Sequence, residues 1–502
     1  VTITVKAGQS EKTVALTIRS LDAGALRMTV DKDNPLFLHG LYKYDGKGYP
    51  ANGLAGPLQG GKSIQGFWTA LTGSDATGWQ GPTVQAGNKT VHHAILIHAS
   101  GTVEGSEANK KWYLDRIAET KKDNIPFFLM VSNSHTGAFL DLDWLDGIYE
   151  QNENMMGVVF SENHNAGISE RDRRITYMDA LVKQAAKWGG YVINCDMNDA
   201  PKDTGGSDHG GTLEYFLNNE TLYQTLKKYS QNYILLAKTT SAWSNVSYNS
   251  HESVALGAWL DGLCGNWGSL IDSWMWFIEG YGPQWGDSTF DVFGGAEECR
   301  GPVSMPELLF AMRMVQQART GATVFTFEHP DHAEAVGDNE GAKTYFTPNY
   351  KYSIAKAMEY MRDYAIPTRE QVMQNTKVFY ASSGGTLNKL GSNAANRLLD
   401  PLYGDSGSSG PNKSKNNGTT MMTYSTGRYG TIPSLPKMAQ DPTGKDILRM
   451  ADVQALGGAA GIQNYFNARY PQRYNGTGYA HYDELTKSWL TYNSNWFFDT
   501  RE

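Results

Sequence analysis

Two glutamates stand directly after apolar runs. Glu162 follows GVVFS and opens Glu162-Asn163-His164, and Glu328 follows ATVFTF and precedes His329. Further carboxylates stand near other runs. Asp196 and Asp199 follow YVINC, Asp261 closes VALGAWL, and Asp272 lies eleven residues beyond it in IDSWMW; Ser134 and His135 follow PFFLMV. An ionised carboxylate at the end of a buried strand is costly unless it is paired or used. Two carboxylates facing each other across a cleft are what glycosidic hydrolysis requires. One protonates the leaving oxygen, and the other activates water or attacks the anomeric carbon.

Six of the 13 Trp (Trp243, Trp259, Trp267, Trp274, Trp276 and Trp285) fall within residues 243–285. Sugars present apolar C–H faces to aromatic rings, so Trp near carboxylates fits a saccharide cleft. Core packing explains single Trp equally well, above all Trp259, which the pattern puts on a strand. Asn163, His164, Asn194, Lys238, Trp243, Asn266 and Trp267 lie in or just beyond predicted strand ends. They are the candidate sugar contacts, offering hydrogen bonds or stacking faces. The His residues show no HExxH or comparable spacing, so neither a metal nor any other cofactor is expected.

The elements that must position these residues are readable from the runs. PLFLHGLY, HAILIHAS, PFFLMVSN, GVVFSEN, YVINCD, YILLAKTT, VALGAWLDG and ATVFTFE are continuous apolar stretches, as in parallel strands buried on both faces. Helical segments lie between them. Ser169 and Asp172 resemble a capping box, Ile175, Met178, Leu181, Val182 and Ala185 form one face, and Gly189-Gly190 ends the helix. Ser304, Pro306 and Glu307 start another helix, with Met312 and Val315 on one face and Gly321 beyond its end. Eight strands alternating with helices predict an α/β fold, a (β/α)8 barrel over residues 35–369. A doubly wound sheet is the alternative, weakened by the lack of GxGxxG or GxxxxGK[ST] after an early strand.

Residues 1–34 open on a β-hairpin, VTITVKAGQSEKTVALTI, which could pack on the C-terminal module. Residues 370–502, with KVFYAS, TMMTYST, the loop DSGSSGPNKSKNNGTT and the aromatic end HYDELTKSWLTYNSNWFFDTRE, read as a β-rich, sandwich-like module. No internal repeat is visible.

Composition narrows the partners. The chain carries 44 Lys+Arg against 52 Asp+Glu, a net charge of -8, which does not suit a nucleic-acid binder or a sulfated glycan. Aromatics at 12% and charged residues at 19% do not suit a disordered chain. No run is long enough to span a membrane. Cys195, Cys264 and Cys299 make no CxxC pair and read as buried free thiols. The chain starts at Val1 without a leader pattern and reads as a piece of a longer precursor.

Taken in order, these segments resemble glycoside hydrolase family 98. The resemblance rests on RMTVDKDNPLFLHGLY, HAILIHASGTV with KKWYLDRI, NIPFFLMVSN, MMGVVFSENHN, GAWLDGLCGNWGSLIDSWMW and GATVFTFEHP, spread over most of the barrel. It implies a secreted bacterial endo-β-1,4-glycosidase, metal-free and inverting, most directly an endo-β-1,4-galactosidase on blood-group A and B glycans. A xylanase of the same family is the alternative substrate reading. Glu162 matches the family's general acid. The base pair matches Asp272 and Glu328, with Asp261 as the competing Asp. A carbohydrate-binding barrel without turnover and a metal-dependent hydrolase are the rival classes. The first predicts carboxylates that fail to converge, the second a bound metal.

Overall fold

A computed structural model describes residues 2–7, 10–15, 23–43, 64–73, 85–99, 107–132, 139–161, 168–196, 212–239, 248–271, 350–363, 366–381, 431–470, 478–483, 488–493 and 499–501, and most of 311–327. Eight strands close into a parallel barrel: β1 Leu36–Lys43, β2 His92–Ala99, β3 Phe127–Ser132, β4 Met155–Ser161, β5 Tyr191–Asp196, β6 Tyr233–Thr239, β7 Asn266–Ile271 and β8 Val324–Phe327. Neighbours in sequence are neighbours in the barrel, and β8 pairs with β1. The helices between them include α1 Ile64–Thr72, α2 Glu107–Lys121, α3 Leu142–Gln151, α4 Ile168–Trp188, α5 Thr212–Leu217, α6 Glu220–Lys228 and α7 Tyr248–Leu260. The (β/α)8 expectation therefore holds.

Each strand is apolar on both faces because it serves two cores. One cluster fills the lumen with Leu36, Leu38, Leu96, Phe128, Met130, Val159, Ile193, Ile234, Leu236, Leu270 and Val324. The alternate residues, such as Phe37, Ile95, Leu129, Phe160, Val192, Leu235 and Phe325, pack outward against the helices.

Seven of the eight apolar runs are strands. The exception is VALGAWLDG, which lies in helix α7, and the seventh strand is the next segment, NWGSLI. The run misleads because this helix is buried all round: Val254, Ala255, Leu256, Ala258 and Trp259 are all core residues. A helix with no solvent face shows no 3.6-residue polar period. The capping-box expectation is corrected too. Helix α4 begins at Ile168, so Ser169 is inside it, and Asp172 accepts from the Tyr215 hydroxyl. Its C-terminus is as expected: the Gly189 and Gly190 amides donate to Ala186 and Ala185, and Gly189 sits at φ 70. Of the later helix, Val315 and Gly321 are described, and Gly321 has φ 91 against the Trp259 ring; Ser304, Pro306, Glu307 and Met312 lie outside the described residues.

The N-terminal end of the barrel is plugged by residues that precede β1. Met28 and Val30 belong to the lumen cluster. The Tyr191 hydroxyl donates to the Met28 carbonyl at 2.7 Å, and the Asn266 amide donates to the Val30 carbonyl at 2.9 Å. Arg27 ties the plug to the ends of α3 and α4 through the carbonyls of Tyr149, Asn152, Met155 and Trp188.

Thr2–Ala7 and Ser10–Ala15 form the expected antiparallel hairpin. After the barrel come α8 Ala355–Asp363 and α9 Arg369–Asn375. Strand β9 Val378–Ala381 pairs in parallel with both β10 Ser434–Leu435 and β11 Asp446–Leu448. Two helices that the β-rich reading does not anticipate follow, α10 Met450–Ala455 and α11 Ala459–Arg469. Strands β12 Gly478–Asp483, β13 Ser488–Asn493 and β14 Asp499–Arg501 make an antiparallel sheet. The segments TMMTYST and DSGSSGPNKSKNNGTT lie outside the described residues.

Candidate active site

Alternation along each strand decides which side chains look into the lumen. On β6, Ile234 and Leu236 face it, so Lys238 shares that face. By the same count His98 follows Ala94 and Leu96 on β2, Ser161 follows Val159 on β4, and Thr326 follows Val324 on β8. All four are buried and lie toward the C-terminal ends of their strands. The lumen is thus apolar through its middle and polar toward one mouth. In a barrel of this kind, sites are built at that mouth.

Three strands reach the same mouth and end one residue short of a candidate carboxylate. Strand β4 ends at Ser161, β7 at Ile271 and β8 at Phe327, and the next residues are Glu162, Asp272 and Glu328. Those three carboxylates lie outside the described residues, as do Asn163, His164, Trp243, Ser134, His135, Asp199, Trp274, Trp276, Trp285, His329 and Cys299.

The described candidates separate into two groups. Lys238 looks into the mouth. Asn194 does not: it is on the wall side of β5, where its amide donates to the Tyr233 hydroxyl at 2.9 Å. Burial pushes that hydroxyl's pKa well up, so it stays protonated. Asn266 and Trp267 start β7 rather than follow it, at the opposite end of the barrel. Asn266 accepts from the Thr323 hydroxyl at 2.8 Å and holds the plug. Trp267 is fully buried, and its indole donates to the Thr320 carbonyl at 3.1 Å. All three expectations of sugar contact are corrected by this placement. For Asn266 and Trp267 the cause is the misassigned seventh strand; for Asn194 it is the side of β5 that it occupies.

The same shift separates the two competing aspartates. Asp261 follows α7 and so lies at the plugged end, ion-paired with Lys227 at 2.9 Å and accepting from the Tyr223 hydroxyl at 2.8 Å. Asp196 lies on the wall face of β5, alternating with the lumen residues Ile193 and Cys195. Cys195 and Cys264 are buried thiols outside any disulfide, and burial pushes the Cys264 thiol up to about 12. Among the described residues no group of three or more His, Cys, Asp or Glu could hold a metal ion. Of the mouth residues, His98 and Ser161 stand at strand ends that the apolar runs already mark, and Thr326 is the one the runs do not single out. Its signal was the i, i+2 count from a lumen residue, which needs the lumen face to be known first.

Comparison with known proteins then fixes the family. The model for glycosyl hydrolase family 98 matches residues 24–367, and the model for the glycosyl hydrolase family 98 C-terminal domain matches residues 369–502. The chain belongs to glycosyl hydrolase family 98. Family 98 relatives include the blood-group-substance endo-1,4-beta-galactosidase of Clostridium perfringens, 25% identical over 395 residues. That match covers 74% of this chain and 43% of the relative, so the chain spans less than half the length of that protein. Solved family 98 catalytic modules from Streptococcus pneumoniae TIGR4 have the same fold. One in complex with the H-disaccharide blood group antigen gives a TM-score of 0.70 at 23% identity, covering 95% of this chain and 75% of the other. A second, with the LewisY pentasaccharide, gives 0.71 at 22% identity with the same coverage of each chain. No helix among the described residues is long and apolar enough to cross a membrane.

Proposed function

We propose that this chain is a secreted bacterial endo-β-1,4-galactosidase that cleaves an internal linkage of blood-group A/B-type glycans with inversion. Glu162 is the general acid that protonates the leaving sugar oxygen. Asp272 and Glu328 together hold and deprotonate the attacking water. The observation that carries the reading is the common end of three strands: β4, β7 and β8 each stop one residue before one of these carboxylates, at the mouth where the lumen turns polar. Family membership supports hydrolysis over a binding role. The names of the Clostridium and Streptococcus relatives support a blood-group glycan over xylan. Asp261 is not offered as the base, since its carboxylate is engaged at the other end of the barrel. Secretion belongs to the proposal because such glycans are displayed outside cells.

Inversion asks for an acid and a base roughly 6.5–9.5 Å apart, leaving room for a water between base and sugar. Lys238 supplies a cation at the mouth, able to donate to sugar hydroxyls or to a carboxylate. Glu162→Gln keeps the shape and removes the acidic proton. On a panel of defined glycans this variant should bind substrate and fail to turn it over. Full turnover by Glu162→Gln would overturn the acid assignment.

A further inference from the structure

Helix α7 joins the mouth of the barrel to the segment matched by the C-terminal domain. Its first turn carries His251, whose Nδ1 lies 2.8 Å from the Lys238 carbonyl oxygen. A carbonyl only accepts, so Nδ1 carries the proton and donates. The position matters. Among the described residues the last pair of the β6–β5 ladder is Ala237–Asp196, one residue before Lys238. His251 binds the backbone at the next position along β6.

The other contacts of α7 reach across the chain. The buried Glu252 carboxylate accepts from Gln317 at 2.8 Å and from the Thr431 hydroxyl at 3.4 Å. At Gly257 the helix touches the backbone of β10 so closely that a Cβ would stand 1.8 Å from the Ser434 carbonyl oxygen. Beyond the helix, the Arg369 guanidinium donates to the Cys264 carbonyl at 2.7 Å and lies 5.3 Å from the Trp259 ring centroid. Thr431, Ser434 and Arg369 all belong to residues 369–502. That segment therefore grips α7 near its start, near its middle and at the turn after it.

We infer that His251 is a positioning residue for the mouth: through α7 it transmits the seating of the C-terminal segment to the strand end that carries Lys238. The functional half of this rests on the proposed reading of the mouth as the sugar site. The structural half does not. A helix seated against β10 sets the height of His251, and His251 holds the Lys238 carbonyl near the end of β6. The C-terminal segment is then part of the catalytic unit.

The test uses the full 502-residue chain with His251→Leu, His251→Asn and Gly257→Ala. Thr431→Val replaces the last if Gly257→Ala does not fold. Hydrogen exchange is read in β6, with β3 on a distant part of the wall as internal reference, and kcat and KM are read on a defined glycan. Loss of one hydrogen bond at a strand end should speed exchange over residues 237–239 about tenfold relative to β3. His251→Leu and Gly257→Ala should both do this and raise KM. His251→Asn, whose amide can donate in place of Nδ1, should restore both. The inference is overturned if β6 speeds up no more than β3, or if His251→Asn behaves as His251→Leu. A parent chain that turns over none of the glycans would sink the sugar reading instead, while the exchange data still decide the coupling.

Discussion

The Nε2 of His39 lies 3.0 Å from the Nδ1 of His93, in the layer between the barrel wall and the helices. Both rings are buried, with Phe67 and Tyr350 around His39. One ring donates to the other, which works only while at least one is neutral. Burial pulls the His39 pKa down to about 3, and burial with the His39 charge pulls His93 well below its ordinary value.

The pair gives the fold a pH dependence of definite sign. Above pH ~6.5 both histidines are neutral folded or unfolded, and the pair has no pH effect. As pH falls through 6.5 toward the folded values, the unfolded chain takes up protons that the folded chain refuses. Stability is lost at up to about 1.4 kcal/mol per pH unit for each ring. Urea denaturation between pH 6.5 and 5 should show a steeper loss for the parent chain than for the His39→Gln/His93→Gln double variant. Equal slopes would refute the assignment.

Arg27 should matter for stability and not for substrate choice. Its guanidinium serves four carbonyls at 2.7–3.2 Å and lies 5.3 Å from the Tyr149 ring centroid. Arg27→Met should cost at least about 2 kcal/mol in urea denaturation, the worth of a single hydrogen bond to a charged group, since all four are lost together. The relative rates on different glycans should be unchanged.

Lys238 and Trp267 are equal candidates in the sequence and should behave oppositely in the folded protein. Lys238→Met should lower kcat/KM about 10- to 100-fold, the worth of one charge-assisted hydrogen bond, with little change in melting temperature. Trp267→Phe should lower stability by about 2 kcal/mol through lost packing and leave KM unchanged. The reverse pattern would put the site at the wrong end of the barrel.

Inversion fixes the anomer. Water attacking from the face opposite the leaving group turns a β-linkage into an α-configured product before mutarotation. Proton NMR of the fresh reaction should therefore show the α anomer first. A β product would require a carboxylate only about 5 Å from Glu162 and a covalent intermediate.

What the sequence determined by itself was the barrel. Strands buried on two faces need two sets of apolar residues, and such runs are visible in composition alone; seven of the eight stood where the runs put them. The carboxylates Glu162 and Glu328 were legible for the same reason, as charges at the edge of apolar segments. What only the tertiary structure decided was which end and which face. The run from Val254 to Leu260 is apolar because the barrel wall covers one side of α7 and β10 reaches the other, at Gly257. No local pattern distinguishes such a helix from a buried strand. Moving the seventh strand to Asn266–Ile271 carried Asn266, Trp267 and Asp261 to the plugged end and left Asp272 directly after the strand. Facing was equally hidden. Asn194 and Lys238 both sit in apolar strands, and only closure of the barrel turns one into the wall and the other into the mouth.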